Sequence, residues 1–172
     1  MIIRQPDGTS CGPTCLAVAR GLTDPAYAER LAAHTGDLIA AEHPLLASYR
    51  SPTGGLQAPW PRALGTSPWA LRAALQGLTG RAYATILLPS DPVAAFARVA
   101  AVAGTPEPAA LYVGGRLLPR HVALVLGGDG HRLSVYEPAV GARLVLTAAD
   151  VARDPRVAGW SRWWLLLSPA RR

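Results

Sequence analysis

Residues 5–16 combine a turn-forming loop with the start of a helix, and a cysteine lies at the junction. The stretch is Gln-Pro-Asp-Gly-Thr-Ser-Cys-Gly-Pro-Thr-Cys-Leu. Apolar residues continue beyond it, which predicts a mostly buried helix over Thr14–Leu22. Pro13 agrees with a helix start, because proline is favoured in the first turn, where the N–H that it lacks would have no partner. The sequence therefore places Cys11 at a helix N-terminus.

A thiol at this position has the surroundings of a nucleophile. The positive end of the helix dipole favours the thiolate, which is the reactive form of cysteine. Gln5 lies six residues upstream, across the turn-forming loop, where its side-chain amide could join the Cys11 backbone N–H in binding an oxyanion. Cys15 lies one helical turn further on and is interpreted as a core or near-site residue. No disulfide is expected between the two cysteines.

Capping and turn residues divide the remainder of the chain into helices followed by strands. Helices are predicted from Asp24-Pro25 to Gly36, over Leu38–Ser48, from Ser67-Pro68 to Gly80, over Val93–Ala103 and over Ala148–Arg153. Strands are predicted over Ala82–Leu88, Ala110–Val113, His121–Leu126, Arg132–Glu137, Ala142–Leu146 and Trp163–Leu167. His43 precedes Pro44 and is expected to lie outside a helix.

This order of elements predicts an α+β fold. We expect a single domain over residues 1–172, helical over about 1–104 and built on an antiparallel sheet over about 109–168. Between the helices, Ser51–Leu64 is rich in proline and glycine and is predicted to be a long surface loop. Such loops often select substrates when they border a cleft, but the sequence does not place this one relative to Cys11.

Composition excludes several classes of protein. All 17 basic residues are arginines and the net charge is +6, but the arginines are dispersed, so no nucleic-acid-binding surface is predicted. No apolar run has the length of a membrane-spanning helix and the start lacks the features of a secretory signal, so a cytoplasmic protein without membrane insertion is expected. The spacing of possible ligands predicts no metal site and no cofactor. The oligomeric state stays open.

Two later segments contain possible partners for Cys11. His121 opens an apolar strand, and Glu137 closes the strand that follows the turn at residues 127–130. If that turn is centred on Asp129, His121 lies directly opposite Glu137, just as Ala123 lies opposite Val135. Directly opposed side chains have Cβ atoms about 4.5–5.5 Å apart, so an imidazole and a carboxylate could form a hydrogen bond. Such a bond would fix the histidine tautomer and stabilise the imidazolium.

These segments resemble the papain-like cysteine peptidases, and most closely the bacteriocin-processing peptidases of double-glycine leaders and their stand-alone relatives. In that family a glutamine precedes a nucleophilic Cys-Gly-Pro, and a histidine opens a strand of small and branched residues. An Asp-Pro followed by a glycine comes later. This chain has Glu137-Pro138 with Gly141 at that point, so glutamate replaces aspartate.

The resemblance implies a papain-like fold, with the N-terminal helical part packed on the C-terminal antiparallel sheet. It also implies that Cys11 is the nucleophile, His121 the base, Glu137 the residue that orients His121, and Gln5 part of the oxyanion hole. The implied substrate is a peptide, cleaved at a peptide or amide bond through an acyl-enzyme.

Two alternatives remain open at the level of sequence. An amine could replace water as the acceptor of the acyl group, which would make the protein an acyltransferase, a peptide cyclase or a deamidase. The chain could also be a non-catalytic module that keeps the fold and binds a peptide.

Overall fold

The structure is a computed structural model, and it describes residues 3–61 and 65–170. Within these ranges it contains six helices and six strands. The helices are α1 (Cys11–Thr23), α2 (Pro25–Ala33), α3 (Thr35–Ala47), α4 (Pro68–Thr79), α5 (Pro92–Ala100) and α6 (Ala148–Arg153). The strands are β1 (Tyr83–Leu87), β2 (Ala109–Gly114), β3 (Pro119–Gly128), β4 (Arg132–Glu137), β5 (Ala142–Thr147) and β6 (Arg162–Pro169).

Three helices begin in the same way, with a proline in the first turn behind a polar cap. The side chains of Asp24, Ser67 and Asp91 each accept a hydrogen bond from the backbone N–H three residues further on. These caps satisfy donors that a helix leaves without partners, which is why the sequence predicted the starts of α2 and α4 correctly and the start of α5 to within one residue. At the other end of α4, Gly80 adopts a left-handed conformation with φ of 66° and ends the helix as predicted.

Helix α3 differs from the sequence prediction. It begins at Thr35 and continues through Pro44 to Ala47, so the expectation that His43 is non-helical was wrong. Pro44 lies in the last turn of α3. It removes one backbone hydrogen bond there, and the helix ends three residues later at Ala47. The predicted end of α2 at Gly36 was also wrong, because α2 ends at Ala33.

All six strands belong to one antiparallel sheet with the order β1-β6-β2-β3-β4-β5. The strand between the helices, β1, pairs with the last strand of the chain, β6. All residues of β2 are buried, as expected of a strand that has neighbours on both sides and is covered on both faces.

The two faces of the sheet carry separate hydrophobic clusters. One cluster joins α5 and α6 to the sheet and includes Phe96 and Val151. The other joins α1 and α4 to the opposite face and includes Cys11, Leu16 and Leu71. Burial of each large aliphatic side chain contributes about 1.5–3 kcal/mol. The N-terminus of α1 is therefore held by a packed interface.

Candidate active site

The first turn of α1 presents the Cys11 thiol together with free backbone donors. The helix begins at Cys11 itself, three residues before the predicted start, and Cys11 is 1% exposed. Ser10 precedes the helix without capping it, because its hydroxyl donates to Asp7 Oδ1 at 2.6 Å. The N–H groups of a first helical turn have no acceptor within the helix. The Cys11 and Gly12 N–H groups have no hydrogen-bond partner among the described residues and lie beside the thiol.

Gly12 allows Thr66 to approach the start of α1 closely. A Cβ atom on Gly12 would lie 2.2 Å from Thr66 Oγ1, far inside van der Waals contact. The Thr66 carbonyl in turn accepts a hydrogen bond from the Tyr112 hydroxyl at 3.1 Å. Helix α1, the segment before α4 and strand β2 are therefore in direct contact beside Cys11.

His121 lies at the start of β3, where it contacts Glu137 and lines the same cleft as Cys11. It is 7% exposed, and its Nε2 is 2.6 Å from Glu137 Oε1. Burial alone lowers the pKa of His121, but interaction with the Cys11 side chain, the hydrogen bond with Glu137 and the negative charges of both raise this pKa to about 9. Because Glu137 engages Nε2, Nδ1 is the ring nitrogen left for Cys11.

Glu137 ends β4 and is almost completely buried, at 2% exposure. Its Oε1 also accepts from the Ala139 N–H at 2.9 Å, and its Oε2 accepts from the Val140 N–H at 3.1 Å. Burial raises the pKa of Glu137, but the hydrogen bonds from His121, Ala139 and Val140 outweigh it and hold this pKa below its ordinary value. The buried carboxylate is therefore ionised and faces the imidazole.

The strand register that was predicted for this pair was wrong, although the contact exists. Val125, and not Ala123, pairs with Val135, because β3 continues to Gly128 and contains a bulge between Val125 and Gly127. Extended by one residue, this register puts Glu137 opposite Ala123 and two residues out of line with His121. A shift by two residues keeps both side chains on the same face. Long side chains can still meet across such a diagonal.

Gln5 is held against the turn that follows Glu137. Its backbone N–H donates to Pro138 O at 2.8 Å, and the neighbouring Arg4 Nε donates to Ala139 O at 2.6 Å. The Gln5 side-chain Nε2 donates to Asp7 O at 2.8 Å, and no hydrogen bond joins Gln5 to Cys11 among the described residues. An amide nitrogen has two N–H groups, so one remains for a ligand. The role of Gln5 in an oxyanion hole stays a prediction.

Cys15 lies below the site in the hydrophobic core. It is fully buried, and its Sγ donates to Val122 O at 3.5 Å. Burial, and then the negative charges of Cys11 and Glu137, raise the pKa of Cys15 well above its ordinary value. Its thiol is therefore neutral and shielded, which agrees with its interpretation as a core residue. Both cysteines are free.

Cys11 and His121 line a small cleft of about 90 Å³. The other residues around it are Trp60, Gly65, Thr66, Pro68, Trp69, Tyr112, Pro119, Arg120 and Val122. The cleft thus includes part of the long loop that the sequence left unplaced. Residues 62–64 of that loop lie outside the described residues. No motif in the sequence singles out Trp60, Trp69 or Tyr112 as cleft residues, because their positions follow from tertiary packing.

The described residues contain neither a metal-binding cluster nor a membrane-spanning helix. Residues 3–61 and 65–170 contain no group of three or more histidine, cysteine or acidic side chains arranged to hold a metal ion. In the same part of the chain, the helices are too short or too polar to cross a bilayer.

Solved structures of known proteins have a fold similar to that of this chain. No protein-family model matches the chain, and no curated sequence matches it. The solved structures that resemble the chain include the peptidase domain of Streptococcus ComA, a bi-functional ABC transporter involved in quorum sensing. It is 17% identical with a TM-score of 0.55, and the alignment covers 98% of each chain. A double-glycine motif protease from an AMS/PCAT transporter, solved with its leader peptide, is 14% identical with a TM-score of 0.53. Here 99% of this chain and 91% of the other are covered.

These similarities confirm the predicted fold class. The chain has the α+β, papain-like fold of double-glycine peptidase domains, with the helix that carries Cys11 packed on the antiparallel sheet that carries His121. At this level of identity the likeness concerns the fold.

Proposed function

We propose that the protein is a thiol hydrolase that cleaves a peptide or amide bond through an acyl-enzyme on Cys11. The observation that carries the proposal is that Cys11 and His121 line one cleft while the buried His121 is hydrogen-bonded to Glu137. A thiol at a helix N-terminus, a histidine beside it and a carboxylate on one ring nitrogen are the parts that nucleophilic catalysis requires.

The first chemical step is attack on the scissile carbonyl. His121 Nδ1 takes the thiol proton, and Cys11 Sγ forms a bond to the carbonyl carbon. The Cys11 backbone N–H and the second N–H of Gln5 Nε2 stabilise the resulting oxyanion. When the carbon–nitrogen bond breaks, the imidazolium gives its proton to the leaving amine, and a thioester remains on Cys11.

The second step releases the acyl group. Water loses a proton to His121 and attacks the thioester carbonyl, after which the carboxylic acid leaves and the thiol is restored. Throughout both steps Glu137 keeps the Nε2 proton in place and stabilises the imidazolium, as a carboxylate does in other catalytic triads. The Ala139 and Val140 N–H groups fix that carboxylate, so Glu137 replaces the aspartate of the resembled family in this role.

The proposed substrate is a peptide. One of the similar structures is described as a double-glycine motif protease in complex with a leader peptide. The cleft at Cys11 is small, about 90 Å³, and aromatic side chains border it, so it favours a peptide with little side chain next to the scissile bond. The proposal includes a cytoplasmic location, because a reducing compartment keeps a reactive thiol from oxidation.

The decisive experiment is intact mass spectrometry after incubation with a library of electrophilic peptides. We expect one adduct on the wild-type protein and one on Cys15→Ala, because Cys15 is buried and neutral. We expect none on Cys11→Ala. If the wild-type protein forms no adduct at Cys11, the hydrolase mechanism is wrong and the peptide-binding module gains support.

Transfer to an amine can be separated from hydrolysis by product analysis. A reactive substrate is incubated with and without candidate amines, and the released acyl products are identified. Exclusive formation of the carboxylic acid supports the hydrolase. Amide products in the presence of water would identify a transferase.

A further inference from the structure

Trp60 occupies a fixed position at the cleft. Its ring packs edge-to-face on Trp69, with centroids 5.0 Å apart and an interplanar angle of 85°. The Trp69 Nε1–H donates to Ala58 O at 2.8 Å, which ties the segment before Trp60 to α4. Both rings line the same cleft as Cys11 and His121. Trp60 is therefore held beside the thiol before any ligand binds.

The indole N–H of Trp60 has no acceptor. Its Nε1 is shielded from solvent, yet it has no hydrogen-bond partner among the described residues. Three other indoles do have one: Trp69 donates to Ala58 O, Trp163 to Pro155 O at 2.8 Å and Trp164 to Gly115 O at 3.0 Å. Buried donors in folded proteins are almost always paired, so an unpaired one on a residue that lines a cleft indicates a missing acceptor.

We propose that Trp60 is a substrate-binding residue: a small tilt of its ring opens the shielded indole N–H to the cleft, where it donates a hydrogen bond to a carbonyl oxygen of the substrate backbone. An indole N–H can only donate, and the acceptor that every peptide carries is the backbone carbonyl. Trp60 and Cys11 line the same cleft, so we expect this carbonyl to lie next to the bond that Cys11 attacks. The inference rests on the proposed function in one respect, namely that the cleft receives a peptide.

This contact would align the substrate as well as bind it. Because Trp69 already fixes the Trp60 ring, little conformational entropy is lost when the hydrogen bond forms. The Trp60 N–H on one side of the cleft and the first-turn N–H groups of α1 near Cys11 would hold the substrate backbone at two points. Two fixed points determine the orientation of the scissile carbonyl towards Sγ.

A binding experiment that needs no turnover tests the inference. Cys11→Ala protein labelled with ¹⁵N in its tryptophans is titrated with N-acetyl-glycyl-glycine N-methylamide, and the indole N–H resonances are followed by NMR. Trp60→Phe in the same background assigns the Trp60 signal. We expect that signal to move downfield while the Trp164 signal stays in place, because the Trp164 indole is already bonded. An unmoved Trp60 signal up to the solubility limit of the peptide overturns the inference.

Kinetics supply a second, matched test. Trp60→Phe keeps an aromatic ring and removes the donor, and Trp164→Phe makes the same change outside the cleft. We expect kcat/KM for a cleaved peptide to fall about threefold to tenfold in Trp60→Phe, the loss of one neutral hydrogen bond, and to stay within about twofold in Trp164→Phe. Equal values for the two variants overturn the inference. If no variant hydrolyses any peptide, the proposed function fails, and the NMR titration still decides the role of Trp60.

A change in the substrate identifies the acceptor. A thioamide in place of the carbonyl next to the scissile bond weakens hydrogen-bond acceptance at that atom. The thioamide should reduce kcat/KM of the wild-type protein and cause no further reduction in Trp60→Phe, since the two changes remove one interaction. Additive losses would show that Trp60 does not contact that carbonyl.

Discussion

His121 lies between a thiol and a carboxylate, and the two contacts give its ring nitrogens different tasks. Nε2 is engaged by Glu137 at 2.6 Å, so in the neutral ring the proton stays on Nε2 and Nδ1 keeps its lone pair for the thiol. After proton transfer the charged ring lies between two negative groups, which is why its pKa is raised to about 9. The protonated form of His121 is therefore stabilised by its neighbours.

The pH dependence of activity should report this protonated form. We expect kcat/KM to fall as the pH rises through about 9, because the imidazolium is lost there. In Glu137→Gln a carboxylate that raises the pKa of His121 is absent, so the alkaline limb should move to lower pH. The check is kcat/KM of both proteins against pH. An unmoved alkaline limb would show that Glu137 does not act on His121.

The length of the Glu137 side chain is itself testable. In the observed register Glu137 and His121 are diagonal neighbours, so the contact needs the longer acid. Glu137→Asp withdraws the carboxylate by about 1.5 Å, one carbon–carbon bond, and should reduce kcat by about 10²-fold. Glu42→Asp is the matched control, because it shortens another buried carboxylate, paired with Arg20. Equal losses of kcat in the two variants would contradict the assignment.

At the residue scale, the sequence indicated the side chains whose chemistry is distinctive. Cys11, His121 and Glu137 have motif neighbours that suggest their roles, and the structure places Cys11 and His121 at one cleft with Glu137 bonded to His121, while the catalytic roles stay predictions. The position of Trp60 at the cleft could not be predicted, because it depends on packing against Trp69. The Gln5 side chain contacts its own loop through Asp7 O, a local bond that the resemblance could not indicate.

Among the secondary-structure elements, α1 is approached very closely by the segment before α4, where Thr66 lies against Gly12. Gly12→Ala would place a Cβ atom 2.2 Å from Thr66 Oγ1, so the threonine or the helix must move. We expect unfolding free energy to fall by about 1–3 kcal/mol and activity to fall with it, because Thr66 lines the cleft. Gly21→Ala in the same helix meets only ordinary contacts from 3.5 Å and should not destabilise the protein. Chemical denaturation compares the two, and equal stability would contradict the close contact.

The N-terminal segment before α1 has no regular secondary structure, but hydrogen bonds attach it to the end of β4 and to the turn that follows. Ile3 O accepts a hydrogen bond from the Tyr136 hydroxyl, and the Gln5 N–H donates to Pro138 O. These bonds attach the segment to both sides of Glu137 along the chain. The proposed oxyanion donor and the orienting carboxylate are therefore parts of one hydrogen-bonded unit.

Removal of the Tyr136 hydroxyl tests that unit. Tyr136→Phe should lower unfolding free energy by about 0.5–1.5 kcal/mol and also lower kcat, because Gln5 is less firmly held. Tyr83→Phe removes a comparable buried bond, to Pro108 O at 2.7 Å, at the β1 edge of the sheet. We expect it to reduce stability alone. Full kcat in Tyr136→Phe would separate the segment from catalysis.

Strand existence was easier to predict than strand register. The bounds of β4 and α6 agree with the predictions because turn and capping residues mark both of their ends. The pairing of β3 with β4 was wrong because a bulge after Val125 carries no mark in its sequence. A register error of two residues left the side chains on the same face, so the His121–Glu137 contact could still be predicted.

At the scale of the whole molecule, the buried His121–Glu137 pair couples stability to pH. The pKa of His121 is raised from 6.5 to about 9, so its contribution is complete below pH 6.5 and disappears as the pH rises through 9. The pKa of Glu137 is lowered, so its contribution is present above 4.5 and disappears as the pH falls below that value. Both contributions are complete between these limits, in weakly acidic solution.

Chemical denaturation at several pH values between 6.5 and 9 measures the His121 contribution. We expect the wild-type protein to lose roughly 1–3 kcal/mol of unfolding free energy over this interval. Cys11→Ala and Glu137→Gln should each lose less, because each removes a group that raises the histidine pKa. A flat wild-type curve would contradict the buried imidazolium.

The order of strands could not be predicted from the sequence. Local patterns identify each strand, but the pairing of β1 with β6 joins Tyr83 to Pro169, across most of the C-terminal half. Such a pairing is determined by which faces α4 and α5 cover after collapse, and no local pattern encodes it. The α+β class followed from element order, whereas the strand order had to be observed.

The exit of β6 from the sheet has a practical consequence for attaching the protein to a surface. Trp163 of β6 and His121 of β3 both pair with Val113, so this part of β6 lies level with the candidate site. From Trp163 the strand continues for six residues to Pro169, roughly 20 Å away at 3.3 Å per residue. The Ala170 N–H is bonded to Ala82 O at that far end. A tether attached after Ala170 would leave the cleft facing solution on a sensor chip or bead, whereas one attached before Ile3 would emerge beside Glu137.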